Sequence, residues 1–86
     1  MEETHEHRLK RLRIRAWRRG TKEMDLILGS FADQNLDSLT REELDSLEAL
    51  MAENDTDLYP WFTGQQPVPA EHSAMLLKIK NEIKLF

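Results

Sequence analysis

No cysteine occurs among these 86 residues, so neither a disulfide framework nor a thiolate metal site can supplement the core. Glycine is nearly as scarce, with Gly20, Gly29 and Gly64 too far apart to build a phosphate-cradling loop of the P-loop or dinucleotide type. Aromatic residues make up 7% of the chain, and β-branched residues are sparse. The abundant Leu, Met, Glu, Lys and Arg favour helix over sheet. No apolar run approaches the roughly 20 residues that a membrane-spanning helix needs. The opening MEETHEH carries three glutamates before its first arginine, unlike a basic secretory signal or an acid-poor presequence. These features describe a soluble cytoplasmic protein, or one already processed. The length allows one domain near the size at which a single core barely suffices.

Charge of one sign is missing, or nearly so, from two long stretches. Eight of the twelve Lys and Arg residues fall between Arg8 and Lys22, where there is no acid. From Glu23 to Glu71 the only base is Arg41. The net charge of −4 therefore conceals a dipolar molecule.

The apolar periodicity predicts an all-α fold, a small single-domain bundle of about five short helices. Leu9, Leu12 and Ala16 line one face of a first helix over about 5–18, with Trp17 beside Ala16 and Arg11, Arg15 and Arg18 on another face. Gly20 stands where a helix C′ residue takes positive φ, and Thr21 follows as an N-cap. Met24, Ile27, Leu28 and Phe31 form the buried stripe of a second helix over about 22–32. The segment DQNLDSL reads as a turn, and Thr40 with Glu43 forms a capping box that opens a third helix burying Leu44, Leu47, Leu50 and Met51. Residues 54–64, NDTDLYPWFTG, read as a cap, a short helix and a glycine stop, disturbed by Pro60. After a QQPVPA linker, a last helix over about 70–84 buries Leu76, Ile79 and Ile83, with Met75 or Leu77 flanking. Residues 1–7 are expected to be a flexible terminus and 8–86 the domain.

Catalytic equipment is thin. His5 and His7 point in different directions on a helix and lie near a terminus, so solvent-exposed histidines are the ordinary reading there rather than a zinc site. The paired acids Glu42–Glu43 and Asp55–Asp57 occupy cap positions, where the helix N-terminus accounts for them. No catalytic residue, metal ligand or cofactor-binding residue is assigned, and the chain is not expected to be an enzyme.

Three uses compete for the basic segment 8–22. Nucleic acid would reward clustered cations, although the rest of the domain is acidic and no recognition motif accompanies the arginines. A membrane surface would need an apolar face that so small a core cannot spare. A protein partner would exploit the planar fork of arginine, with Gly20 admitting a close approach. Against all three stands a purely structural use. Arg18 or Arg19 can neutralise the carbonyl end of the first helix, or Arg19 can pair with Glu23 at a surface value of about 0–1 kcal/mol.

The string Arg19-Gly20-Thr21-Lys22-Glu23 matches an R-G-x-x-E motif and thereby resembles the SdhE family of flavoprotein assembly factors, called succinate dehydrogenase assembly factor 2 in mitochondria. RRGTKEMDLILGSFAD is similar to that family's core segment, DSLTREELDSLEALM to its third helix, and NDTDLYPWFTG to its D-x-D-L-x-x-W segment. The likeness runs in order from about Arg8 to Ile83. It implies a five-helix protein that binds the flavoprotein subunit of succinate dehydrogenase, and in some bacteria that of fumarate reductase. There it promotes covalent attachment of FAD to a histidine of that subunit. FAD is then attached to the client, and no cofactor is bound by the helper itself.

Carried over residue by residue, the client-binding motif is Arg19, Gly20 and Glu23. Arg15, Arg18, Lys22, Met24 and Asp25 are flanking interface candidates, while Asp57, Leu58 and Trp61 are expected to pack the core. With the first helix ending at Gly20, the turn would present Arg19 and Glu23 on one exposed ridge; the expected partner is a protein rather than nucleic acid or membrane, and the free helper is expected to be a monomer. The rival from another class is a small regulatory, antitoxin-like nucleic-acid-binding module that uses segment 8–22.

Overall fold

A computed structural model describes residues 3–83. Five α-helices follow one another: α1 (His5–Ala16), α2 (Lys22–Asn35), α3 (Arg41–Met51), α4 (Asp55–Thr63) and α5 (Ala70–Glu82), with a single 3₁₀ turn at Leu36–Ser38. The all-α bundle read from the periodicity is the observed architecture. α2 lies centrally, packed on α1 on one side and on α5 on another, while α3 packs against α5.

Local chemistry explains most of the boundaries. Thr4 caps α1 by accepting from the His7 amide at 3.1 Å, so the first turn, His5–His7, is helical and the domain boundary expected at residue 8 falls inside α1. Thr40 and Glu43 close the predicted capping box, with Thr40 Oγ1 accepting from the Glu43 amide at 3.1 Å and the Thr40 amide donating to Glu43 Oε1 at 2.9 Å. Gly64, at φ +81°, ends α4 in the left-handed conformation that spares a Cβ clash. The Gln65 amide then returns to the Pro60 carbonyl at 2.9 Å.

The apolar stripes predicted for α2 and α3 are buried in full, Phe31, Leu44 and Leu50 completely. Met75, Leu76 and Ile79 join them from α5 and Ile83 from just past its end, whereas Leu77 is exposed. Lys84 lies outside the described residues.

Three expectations change. α2 runs three residues beyond Ala32, and the supposed turn that follows buries Leu36 and Leu39, so the segment is part of the core. Pro60 sits inside a continuous α4. The donor it lacks would have served the carbonyl of Thr56, an exposed residue that water can satisfy instead. Gly20 is not the C′ residue of α1, because that helix stops at Ala16 with Trp17 as its cap. Gly20 instead lies in the connecting loop at φ +110°, a value that L side chains rarely adopt.

Charged side chains tie α1 to α3. Arg8 Nη2 lies 2.7 Å from Asp45 and 3.1 Å from Glu48, and Arg11 Nη1 lies 2.9 Å from Glu48 while its Nε reaches Glu3 at 2.8 Å. Hydrogen bonds from Arg11 and Arg8 hold the Glu48 carboxyl below the usual carboxylate range. Arg13 meets Asp33 at 3.5 Å and Asp37 at 3.9 Å. The acidic middle of the chain is thus, in part, the counter-surface to its basic beginning.

Candidate functional site

Residues 17–21 form the short loop between α1 and α2. Thr21 opens α2, its Oγ1 accepting from the Met24 amide at 3.3 Å. Asp25, one turn into α2, reaches back to accept from the Arg19 amide at 2.6 Å. The Arg19 side chain then leaves the loop altogether. Its Nε donates to Asp55 at 2.9 Å, Nη1 to the Met51 carbonyl at 2.6 Å and Nη2 to the Glu53 carbonyl at 2.7 Å.

Met51 is the last residue of α3 and Asp55 the first of α4. One guanidinium therefore neutralises the carbonyl end of α3 and pairs with the acid at the start of α4. With side-chain exposures of 12% for Arg19 and 16% for Asp55, the pair is largely withdrawn from water. A cation capping a helix was expected here, but the helix is α3 rather than α1. Pairing with Glu23 does not occur, because Asp55 and two carbonyls occupy the fork.

This engagement alters the predicted ridge. Glu23 and Gly20 are exposed, as are Arg15, Arg18 and Lys22, and none of these four charged side chains holds an ion pair among the described residues. Arg19 is instead an internal rivet. Met24 is 1% exposed and belongs to the core, since the apolar period of α2 turns it inward. Asp25 is half-buried and committed to the Arg19 amide. Of the residues expected to pack the core, Leu58 and Trp61 do so, whereas Asp57 is exposed in the first turn of α4.

Two clefts flank the Arg19–Asp55 pair and share Asp55 and Thr56. One, of about 390 Å³, is lined by Thr21, Glu23, Met24 and Tyr59 as well. The other, of about 490 Å³, is bordered by Arg15, Arg18 and Arg19 against the α3–α4 turn. The loop thus divides a surface with a free carboxylate and a tyrosine from a surface with free arginines.

Three residues of this arrangement escaped the sequence reading. Asp55 was explained as a cap acid, and only its place opposite Arg19 reveals its second use. Glu53 supplies a carbonyl to Arg19 and, through Oε2, meets His72 Nε2 at 3.2 Å. His72 is buried, with its ring 5.7 Å from that of Trp61. Glu53, Glu71 and His72 also bring their ligand-type atoms within 4.8 Å of one another, a grouping for which the His72–Glu53 hydrogen bond already accounts. No short-range pattern connects residues 36 apart, so Asp55 could be paired with Arg19 only through the fold.

Fold and loop together define a small helical domain with a pinned turn and unpaired charges of both signs around it. The chain belongs to a particular family of such proteins: residues 10–83 match the family described as flavinator of succinate dehydrogenase. It is 38% identical over 71 residues to the FAD assembly factor SdhE of Acetobacter pasteurianus, covering 83% of this chain and 65% of that protein. A second relative, the mitochondrial succinate dehydrogenase assembly factor 2 of Mycosarcoma maydis, is 40% identical over 68 residues, with 79% of this chain and 29% of that protein covered. The FAD assembly factor SdhE of Legionella pneumophila is 34% identical over 64 residues, covering 74% and 81%. The chain spans less than two thirds of the length of the first two of these relatives. No solved structure matches it. Among the described residues, no helix is long and apolar enough to cross a membrane.

Proposed function

We propose that this protein is an FAD assembly factor that binds the flavoprotein subunit of succinate dehydrogenase and promotes its covalent flavinylation, with the corresponding subunit of fumarate reductase as a second client. The observation that carries this reading is the family match across residues 10–83, which includes the loop bearing Arg19, Gly20 and Glu23. The protein acts as a helper rather than an enzyme. Bond formation belongs to the flavin and the client, and the helper contributes binding energy that favours one client conformation over others.

In this reading Glu23, Gly20, Arg15, Arg18 and Lys22 are the contact surface, and Arg19 and Asp25 hold that surface in shape. Exposed, unpaired charges flanking a fixed turn suit a partner that presents its own charges at fixed positions. The free protein works as a monomer in the cytoplasm. The antitoxin-like reading loses its main support, because four of the eight cations between Arg8 and Lys22 are engaged by the protein's own acids.

The test is in-gel flavin fluorescence of the succinate dehydrogenase flavoprotein in cells lacking this protein, complemented with wild type or Glu23→Ala. Rescue by wild type and not by the variant is expected. Equal fluorescence in every lane removes the proposal, and steeply salt-dependent binding to generic DNA or RNA would revive its rival.

A further inference from the structure

The entrance to loop 17–21 rests on a contact that the motif does not explain. Gly29, midway along α2, carries the indole of Trp17 directly against its Cα. A Cβ at that position would lie 2.2 Å from Cδ2, 2.4 Å from Cε2 and 2.6 Å from Cε3 of the ring, all closer than real carbons approach. Gly29 is not among the residues with positive φ, so there the missing side chain is what matters, not backbone freedom. One turn further along α2, Asp33 accepts from the indole Nε1–H, at 3.1 Å and 3.2 Å to its two oxygens. Arg13, one turn before Trp17 on α1, reaches the same carboxylate at 3.5 Å. Arg13 and the cap residue Trp17, four apart at the end of α1, therefore meet Gly29 and Asp33, four apart on α2. The outer face of the indole stays in solvent, at 37% exposure.

We propose that Trp17, seated on Gly29, is a positioning residue for the client-binding loop, and that the pair fixes where α1 ends and in which direction Arg18 and Gly20 depart. This rests on the reading that the loop takes the client. Arg19 and Thr21 fix the middle and the exit of the loop, and the Trp17 seat, with the Arg18 amide donating to the Arg15 carbonyl at 3.2 Å, fixes its entry. Without the seat, the exposed residues Arg18 and Gly20 sample more orientations. A loop correctly placed for about one tenth of the time weakens capture about tenfold, with every contact residue intact.

Gly29 is buried beneath the indole, so a substitution there reaches a client only through Trp17. The experiment uses the full chain with Gly29→Ala, Trp17→Ala and Trp17→Phe. Two readouts are taken: ¹⁵N relaxation of the amides of residues 18–21 in the free protein, and capture of the succinate dehydrogenase flavoprotein subunit. Gly29→Ala and Trp17→Ala are expected to lower the order parameters of these amides and weaken capture about tenfold, with the helical circular dichroism retained. Trp17→Phe keeps a ring on Gly29 and retains both properties.

If Gly29→Ala does not fold, pairing it with Trp17→Leu relieves the overlap, and a loosened loop is again expected. An ordered loop with full capture in the Gly29 variants overturns the proposal. So does loss of capture in Trp17→Ala with the loop still ordered, which makes Trp17 a direct contact, and so does a loosened loop with undiminished capture. If wild type captures nothing, the client reading falls, while unchanged relaxation in the variants would separately dispose of the positioning role.

Discussion

The cationic run divides into two halves that the sequence writes alike and the fold uses differently. Arg8, Arg11 and Arg13 face acids of α3 and of the end of α2, and all three are paired. Arg15, Arg18 and Lys22 carry the same charge, yet none of them holds an ion pair among the described residues. Arg19 sits among the second group in sequence and belongs with the first in chemistry. The use of a charge is decided by what the tertiary structure places opposite it, and local composition does not reveal that.

That contrast is most sharply broken at Arg19. Replacing it with Ala leaves Asp55 and two carbonyls without their donor in a largely buried setting, and about 2–4 kcal/mol of stability should be lost in urea unfolding. Arg15→Ala, four residues earlier, should stay within about 0.5 kcal/mol of wild type. Arg19→Lys is expected to behave like Ala, because an ammonium cannot address three directions in one plane.

Gly20 gives the next largest effect. Nothing lies within 4 Å of a Cβ added there, so strain comes from φ alone, and Gly20→Ala should cost about 1–2 kcal/mol. Gly20→Arg should cost about the same in stability. If Gly20→Arg unfolds the protein while Gly20→Ala does not, the space beyond the Cβ is not open as described.

Within the two halves of the cationic run, Arg8→Ala should reduce stability by up to about 1 kcal/mol without changing client capture. Arg18→Ala should do the reverse, and capture should lose part of its salt dependence. A swap of these outcomes would erase the division.

The smallest effect lies on the acid side of the pH–stability curve. Glu48 is held low by Arg11 and Arg8, and Glu43 by the Thr40 amide. A carboxyl whose folded pKa lies below its unfolded value contributes fully at neutral pH, and that contribution disappears as pH falls through the ordinary carboxylate range to the folded pKa. Glu48→Gln should therefore flatten this limb, most visibly at low salt. An unchanged limb would show that the α1–α3 network is energetically idle.

Much of the fold was legible because it is locally encoded. The capping box at Thr40 and Glu43, the stripe from Met24 to Phe31 and the glycine stop at Gly64 each lie within a few residues of their partners. DQNLDSL was misread because its polar residues hide Leu36 and Leu39, whose burial depends on neighbours from elsewhere in the chain. At the site, Glu23 is exposed, as the expected ridge required, and Arg15, Arg18 and Lys22 are exposed as well. Arg19 could not be placed from sequence, since its partners stand more than thirty residues away. Trp17 was read as lying beside the α1 face, but the bare Cα that receives it is visible only once α1 and α2 are docked.

The three-way grip of Arg19 also sets an order of events in biosynthesis. Synthesis proceeds from the N-terminus, and the motif loop is made early, whereas Asp55 and the end of α3 arrive later. Until those residues have left the ribosome, the guanidinium has nothing to hold, and the loop lacks the clamp that shapes it. A nascent chain accordingly lacks the shaped loop until Asp55 has emerged, and any truncation before Asp55 would carry the complete motif without the clamp.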